Sequence, residues 1–300
     1  MEKPYLLHFA TPGKSVSPFD VNMAYDAGWN AVIPYPGIGL NEIAAFTQDA
    51  IFSRGPKGVK RTGIFIGGRE SDLAADMLES ARKAMVPPFE VSVFADPSGA
   101  YTTAAAMIAV VEKCLLTTHS GSLSGRQMVI FGGTGPVGLT AAILAARAGA
   151  VVTIPGYDGM VRAQTAADAL HARFGVTVYP ANGSTETLKA ELIANTEIIL
   201  TTAKAGVQVI SAEQLSYAAK LLVAADINAV PPAGIEGIGL TDNGKSLASA
   251  SGIAVGIGPL AIGNIKYTVQ QRLLQAMLDS SSPLYLGFDE CLQEARLHAI

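Results

Sequence analysis

Gln127-Met-Val-Ile-Phe131-Gly-Gly133-Thr-Gly135-Pro-Val-Gly138-Leu-Thr-Ala-Ala-Ile-Leu-Ala-Ala-Arg147, followed by Val151-Val-Thr-Ile154 and Asp158, is the stretch that decides the fold. A short β-rich run enters Gly133, Thr134, Gly135, Pro136, Val137 and Gly138, and an alanine-rich helix leaves it. A second strand follows, and an acid stands 20 positions past the last glycine. The three glycines serve different physical ends. Gly133 permits the tight strand-to-helix turn, Gly135 lets backbone approach a pyrophosphate, and Gly138 lets the helix pack closely on the strand. The anion then rests on helix N–H groups that have no partner within the helix. Pro136 in the first helical turn loses only an N–H that was unpaired anyway. A lone G-x-G-x-x-G reads first as a structural turn; strand, helix, second strand and acid at this spacing make it a dinucleotide-binding unit.

Outward from this unit, β-rich and helix-like runs alternate, which predicts parallel sheets with crossover helices, an α/β protein. Downstream strands are expected at Met128–Phe131, Val151–Ile154, Val176–Val178, Ile198–Thr201, Leu221–Ala225 and Ile253–Gly256, with helices between them completing a doubly wound, Rossmann-type sheet. Upstream, strands are expected at Leu6–Phe9, Ala31–Pro34, Thr62–Ile66 and Val91–Phe94, and helices near Phe19–Ala27, Asn41–Ala50, Ser71–Met85 and from Tyr101 to Lys113. The polar stretch from Thr117 to Gly125 reads as a linker. The last long helix, about Ile262 to Leu278, is expected to cross back onto the first domain. Two domains result: an N-terminal α/β domain over residues 1–115, completed by residues 260–300, and a dinucleotide-binding domain over residues 120–259.

Composition limits the function classes. The 300 residues are 49% apolar and 15% charged, enough for a large core. A net charge of −4 offers no basic face for nucleic acid. No apolar run reaches the roughly 18 residues expected of a membrane span, and the first residues lack a secretory cleavage pattern, so a cytoplasmic enzyme is expected. Cys114 and Cys291 are far apart and His8, His119, His171 and His298 are scattered, so neither a disulfide framework nor a metal site is expected.

Gly156, Tyr157 and Asp158 follow the second strand, where the adenosine ribose of a dinucleotide would lie. A carboxylate at Asp158 accepts from a 2′-hydroxyl and opposes a 2′-phosphate, at about 4 kcal/mol per like-charge pair near 4 Å before screening. Arg162, one turn along the next helix, is a cation that offsets this. NAD is therefore expected to be preferred and NADP tolerated. Asp158 also suits a local cap on the following helix, a role compatible with a ribose contact.

Several further runs, taken together with the glycine loop, resemble the methylene-tetrahydromethanopterin dehydrogenases of methylotrophic bacteria. They are Ser17-Pro-Phe-Asp20-Val, Ser53-Arg54-Gly, Ile64-Phe-Ile-Gly-Gly68, Thr102-Thr103-Ala-Ala-Ala, Asp226-Ile-Asn228-Ala-Val-Pro-Pro and Ala261-Ile-Gly263-Asn-Ile-Lys266, and they span nearly the whole chain. The resemblance implies hydride transfer from methylene-tetrahydromethanopterin to NAD or NADP, in one-carbon metabolism. It also implies a two-domain fold similar to the methylene-tetrahydrofolate dehydrogenases, and homo-oligomers. Tyr157-Asp158 stand where the NADP-specific branch carries basic residues, which agrees with the preference for NAD.

Site residues follow from both readings. Lys266, in the family's Gly-x-x-Lys context, is the candidate catalytic and substrate-binding residue, with an exposed lysine on a helix as the alternative. An ammonium beside a forming carbocation would raise the barrier, so its expected form is neutral, or hydrogen-bonded to the pterin away from the methylene carbon. Asp20 is a candidate acceptor for the pterin's N–H groups, or an N-cap. Thr102 and Thr103 either meet a ligand or cap a helix. Asn228 is assigned to the pterin and Asp226 to the cofactor, with a purely local turn role as the alternative for both; Thr201, Thr202, Ala203 and Lys204 are assigned to the cofactor's ribose and pyrophosphate side, with a plain loop as the alternative. Arg54 and Arg69 are cations that could meet the acidic side chain of a pterin; Trp29 reads as core. A folate- or shikimate-type dehydrogenase, and a dinucleotide sensor without turnover, remain alternatives.

Overall fold

The computed structural model describes residues 3–299. The chain forms two compact units, one through Thr102 and Tyr267–Ala295, the other over Thr103–Lys266 and from Arg296 onward.

The first unit opens with β1 (Leu6–Thr11), α1 (Pro18–Asp26), β2 (Ala31–Pro36), α2 (Ile43–Phe52), the single turn α3 (Pro56–Val59), β3 (Thr62–Ile66), α4 (Ser71–Lys83) and β4 (Ser92–Ala95). Helix α5 (Ala100–His119) leads into the second unit, which contains β5 (Gln127–Phe131), α6 (Pro136–Arg147), β6 (Val151–Gly156), α7 (Met160–Phe174), β7 (Val178–Asn182), α8 (Glu186–Ala194), β8 (Ile198–Thr201), α9 (Ala212–Leu215), β9 (Val223–Asp226), β10 (Asn243–Ser246) and β11 (Val255–Ile257). Helix α10 (Pro259–Asp279), β12 (Tyr285–Leu286) and α11 (Phe288–His298) follow.

The first sheet has five strands in the order β12-β4-β3-β1-β2, all parallel. Its centre is β3, whose uninterrupted Gly-Ile-Phe-Ile is buried on both faces, as a strand covered by crossover helices must be. Gly63 has a specific reason: a Cβ there would lie 2.5 Å from Trp29 Cη2. Trp29 is thus a core residue, and its indole N–H donates to Leu274 O at 3.3 Å.

Strand β2 is an edge. Its Val32 N–H donates to the Tyr25 hydroxyl at 3.4 Å. Backbone N–H direction alternates along a strand, so the other outward positions are residues 34 and 36. Both are prolines, placed where an edge strand tolerates them.

The second sheet has seven strands, β10-β11-β9-β8-β5-β6-β7. With the antiparallel β10 set aside and the parallel strands numbered in chain order, β7-β6-β5-β8-β9-β11 is the 3-2-1-4-5-6 order of doubly wound dinucleotide folds. Strand β10 pairs antiparallel at the edge. The chain is α/β, as its patterning predicts.

Local departures have local causes. Helix α5 runs to His119, so Thr117, Thr118 and His119 are helical and not linker; Thr117 Oγ donates back to Lys113 O at 2.9 Å. It ends where Ser120 adopts φ +51°. The predicted strand at Val176–Val178 forms at Val178–Asn182, because α7 continues to Phe174 and Gly175 closes it in the left-handed region at φ +66°. The last long helix starts at Pro259, a proline suited to a first helical turn. Strands β10 and β12 carry no alternating signal. Helix α5, extended by the turn before it to Pro97–His119, is long and apolar enough to cross a membrane, but 78% of its apolar window is buried in the fold.

Candidate functional site

In the second unit, strand order reverses between β5 and β8, and the loops leaving their carboxyl ends diverge there. The opening is a crevice of about 500 Å3, within the range of small-molecule sites. Phe131, Gly132, Thr134 and Gly135 form one wall, and Thr202, Ala203, Lys204 and Val207–Val209 another. Pro155, Tyr157, Arg162, Gly183 and Lys189 complete its lining.

The glycine loop works largely as the spacing predicts, with one shift. The left-handed residue is Gly132, at φ +79°, where a Cβ would lie 2.6 Å from the Thr202 carbonyl carbon. Gly133 is needed for a different reason, because its Cβ would overlap Ile154 Cγ2. A Cβ on Gly138 would overlap Gly132 O and lie 2.6 Å from Gly133 Cα. Gly135 is the N-cap of α6, has no side chain to cap it, and lines the crevice; Pro136 follows at the first helical position. The first-turn N–H groups of α6 therefore have no side-chain acceptor, as an anion site requires. These features fit a dinucleotide pyrophosphate.

Gly156 ends β6 beneath Tyr157 and Asp158, both exposed. Arg162 lies over the Tyr157 ring, 5.7 Å from its centroid, and its Nη1 reaches the phenol oxygen at 3.4 Å. Lys189, which sequence reasoning misses, is fixed by Glu186 at 2.7 Å and by Val209 O at 3.3 Å. Its position in a helix on another strand's crossover gives no local signal.

Thr201, Asp226 and Asn228 form a brace. Asp226 is 1% exposed; its Oδ1 accepts from Thr201 Oγ1 at 2.7 Å and from Asn228 N at 3.0 Å, and its Oδ2 accepts from Gly234 N at 2.7 Å. Asn228 Oδ1 accepts from Gly206 N and Val230 N at 3.0 Å, and its Nδ2 donates to Pro232 O at 2.7 Å. The brace ties the loop after β8, which lines the crevice, to the loop after β9. Thr202 Oγ1 donates to Phe131 O at 3.1 Å, fastening the same loop to β5.

In the first unit, the order β2-β1-β3-β4-β12 is the other common doubly wound order, and it reverses between β1 and β3. A crevice of about 690 Å3 opens there, between Thr11–Pro18 and Gly67–Glu70. Asp20 lines it and is 4% exposed. Its Oδ1 accepts from Gln270 Nε2 at 2.6 Å, a buried carboxylate–amide pair spanning 250 positions of sequence. Its backbone N–H donates to the N-cap Ser17 Oγ at 3.4 Å, so Ser17, not Asp20, is the cap. Thr102 is fully buried and donates to Asp96 Oδ2 at 2.7 Å, while Asp96 Oδ1 accepts from the Tyr101 and Thr102 N–H groups. Thr103 follows within α5 and is half-buried.

Lys266 is half-buried in the second turn of α10, one turn before Gln270, so both lie on one helix face. A Cβ on Gly263, three residues earlier, would meet nothing within 4 Å, leaving that side of the helix open. Arg54 does not line this crevice and is tied to the fold: its Nη1 donates to Arg61 O and Thr62 Oγ1 and its Nη2 to Pro4 O, each at 3.1 Å. Gln270 is invisible in sequence because its partner Asp20 is brought to it only by the fold. Among the described residues no group of three His, Cys, Asp or Glu side chains is disposed to hold a metal.

Fold and crevice define a dinucleotide-binding α/β protein with a second switch-point crevice. Residues 18–98 match the model of the methylene-tetrahydromethanopterin dehydrogenase N-terminal domain. The chain is 46% identical to the NAD(P)-dependent methylenetetrahydromethanopterin dehydrogenase of Methylorubrum extorquens, over 97% of each sequence. It is 32% identical to the bifunctional protein MdtA of the same organism, over 95% of this chain and 96% of that one. Among solved structures, shikimate 5-dehydrogenase of Listeria monocytogenes shares the fold, with a TM-score of 0.52 and 12% identity over 97% of this chain and 96% of that one. The chain belongs to the NAD(P)-dependent methylenetetrahydromethanopterin dehydrogenase family.

Proposed function

We propose that this enzyme transfers hydride from the methylene carbon of methylene-tetrahydromethanopterin to NAD or NADP, leaving the methenyl cation, as a step of one-carbon (formaldehyde-oxidising) metabolism. Family membership supports the reaction, and the observation in the fold that carries it is the uncapped amino end of α6 behind Gly132–Gly138. When bound, the nicotinamide supplies the hydride acceptor. Everything else is positioning by the chain, since the reaction asks for alignment and for no proton transfer.

Residues 120–259 serve as the dinucleotide domain, and residues 1–115 with 260–300 as the pterin domain. The N–H groups after Gly135 hold the diphosphate, with Gly133, Thr134, Pro136, Val137 and Gly138 shaping the loop. Asp158 accepts from the adenosine 2′-hydroxyl; Gly156 keeps the turn that carries it close, because a Cβ there would overlap Gly159 O, and Tyr157 with Arg162 lines the adjoining end of the crevice. Thr202, Ala203 and Lys204 border the pyrophosphate and ribose. Thr201, Asp226 and Asn228 act as positioning residues, because their polar atoms are already spent on the brace. Asp20, oriented by Gln270, accepts from the pterin's N–H edge, with Thr103 nearby in sequence to the Asp96-capped helix start that Thr102 stabilises. Lys266 is the active-site lysine and bonds the pterin away from the methylene carbon, so that its charge does not oppose the forming cation. NAD is preferred, and the enzyme works in the cytoplasm as a homo-oligomer.

Absorbance of reduced nicotinamide, followed with methylene-tetrahydromethanopterin and methylene-tetrahydrofolate side by side, tests the proposal. Rapid reduction with the first substrate is expected. Reduction with the folate alone, or with neither, would overturn it.

A further inference from the structure

The crevice of the first unit has chemistry beyond the buried Asp20–Gln270 pair. Its two walls are separate loops, Thr11–Ser17 after β1 and Gly67–Glu70 after β3, and each carries one cation, Lys14 and Arg69. Both are exposed, and neither forms an ion pair among the described residues. The acids nearby are Glu70, exposed and also outside any ion pair, and Asp20, buried and bonded to Gln270.

Each loop is fixed by its own bonds. Thr11 Oγ1 accepts from Gly13 N at 3.2 Å, and Gly13 O accepts from Gly37 N at 3.1 Å. On the other wall Ser98 donates to Gly68 O at 2.7 Å, and Ser98 does so from the left-handed region, φ +51°, which a serine rarely adopts without a reason. Gly67 lies flat because a Cβ would sit 2.5 Å from Phe9 Cε2. Helices α1 and α4, 9 and 13 residues long, both begin at this rim, so their amide ends add to the field of the two cations.

We propose that Lys14 and Arg69 form a clamp for the acidic end of the substrate's side chain, its phosphate or carboxylate groups, while the pterin head is read at Asp20. The assignment rests on the functional reading above. A single ligand then spans the crevice from a buried acceptor that takes N–H donors to a rim that takes anions. That polarity matches a molecule with an amide-like ring at one end and acid at the other. Glu70 beside Arg69 tempers the clamp, and the attraction is an exposed one that salt weakens.

The test is steady-state kinetics of Lys14→Ala, Arg69→Ala and the double variant, at low and high salt. Methylene-tetrahydromethanopterin is compared with a methylene pterin truncated before its acidic groups. Exposed pairs act weakly one by one, so each single variant is expected to raise KM for the full substrate about threefold and the double variant about tenfold. The KM for NAD should move far less. The penalty should shrink as salt rises, and should be under about twofold on the truncated pterin. An unchanged KM in the double variant, or an equal rise for the truncated pterin, overturns the clamp while leaving the hydride transfer standing. Absence of turnover in the unaltered enzyme overturns the functional reading itself, and the clamp with it.

Discussion

At the scale of single residues, the proposed preference for NAD turns on two side chains of opposite sign near the end of β6. Asp158 is exposed and Arg162 is parked on Tyr157. In the proposed reading a ribose hydroxyl is served by the carboxylate and a 2′-phosphate by the guanidinium. A charge-assisted hydrogen bond contributes about 1.5–3 kcal/mol. Asp158→Asn is therefore expected to lower kcat/KM for NAD about tenfold while raising the NADP to NAD ratio. Arg162→Ala should lower kcat/KM for NADP by about tenfold and that for NAD much less. Both ratios come from initial rates with the two coenzymes. Parallel losses on both coenzymes in either variant would contradict the division of labour. The carboxylate was legible from its distance to the last glycine. The stacked resting place of Arg162 was not, because a helix position four residues on has several rotamers and only the fold selects one.

At the scale of elements, the glycine loop and most strands were legible because their signals are local: apolar runs, turn glycines and helix-starting prolines. Elements set by tertiary pairing were not. The antiparallel edge β10 is Asn-Gly-Lys-Ser, polar and mostly exposed, and is a strand only because β11 lies beside it. The same applies to the tie between β5 and β8. Glu197, just before β8, accepts from Gln127 N at 3.0 Å and from Arg126 Nη1 at 2.6 Å. Burial works to raise its carboxyl pKa, but the Gln127 amide and the Arg126 and Lys220 charges prevail and hold it below the ordinary value. A depressed carboxyl stabilises the fold fully above the unfolded pKa, about 4.3, and the contribution disappears as pH falls through the folded value. Glu197→Gln is expected to cost about 1 kcal/mol at pH 7, a fall in Tm of about 2 °C. The gap to the unaltered protein should close at acid pH in thermal melts; a gap that stays constant with pH would show that the charge is not what matters.

At the scale of the molecule, two doubly wound sheets of different order each open a crevice at their own switch point. That two such units exist could be read from the alternation of elements. Of the first crevice, Asp20 and Arg69 could be named from local runs, but Gln270 could not, because it meets Asp20 only across 250 positions of sequence. The edge of the first sheet has a consequence for how copies of the chain meet. With the Val32 donor spoken for by a phenol and Pro34 and Pro36 having none to give, an arriving β-strand finds no outward amides to bond. Pro34→Thr with Pro36→Thr restores two of them. Light scattering of the concentrated variant is expected to grow with time while the unaltered protein stays clear, and equal clarity would argue that the prolines are incidental. Sheet-to-sheet accretion, the route by which flat rims seed fibres, is closed along that margin by imino acids and one tyrosine.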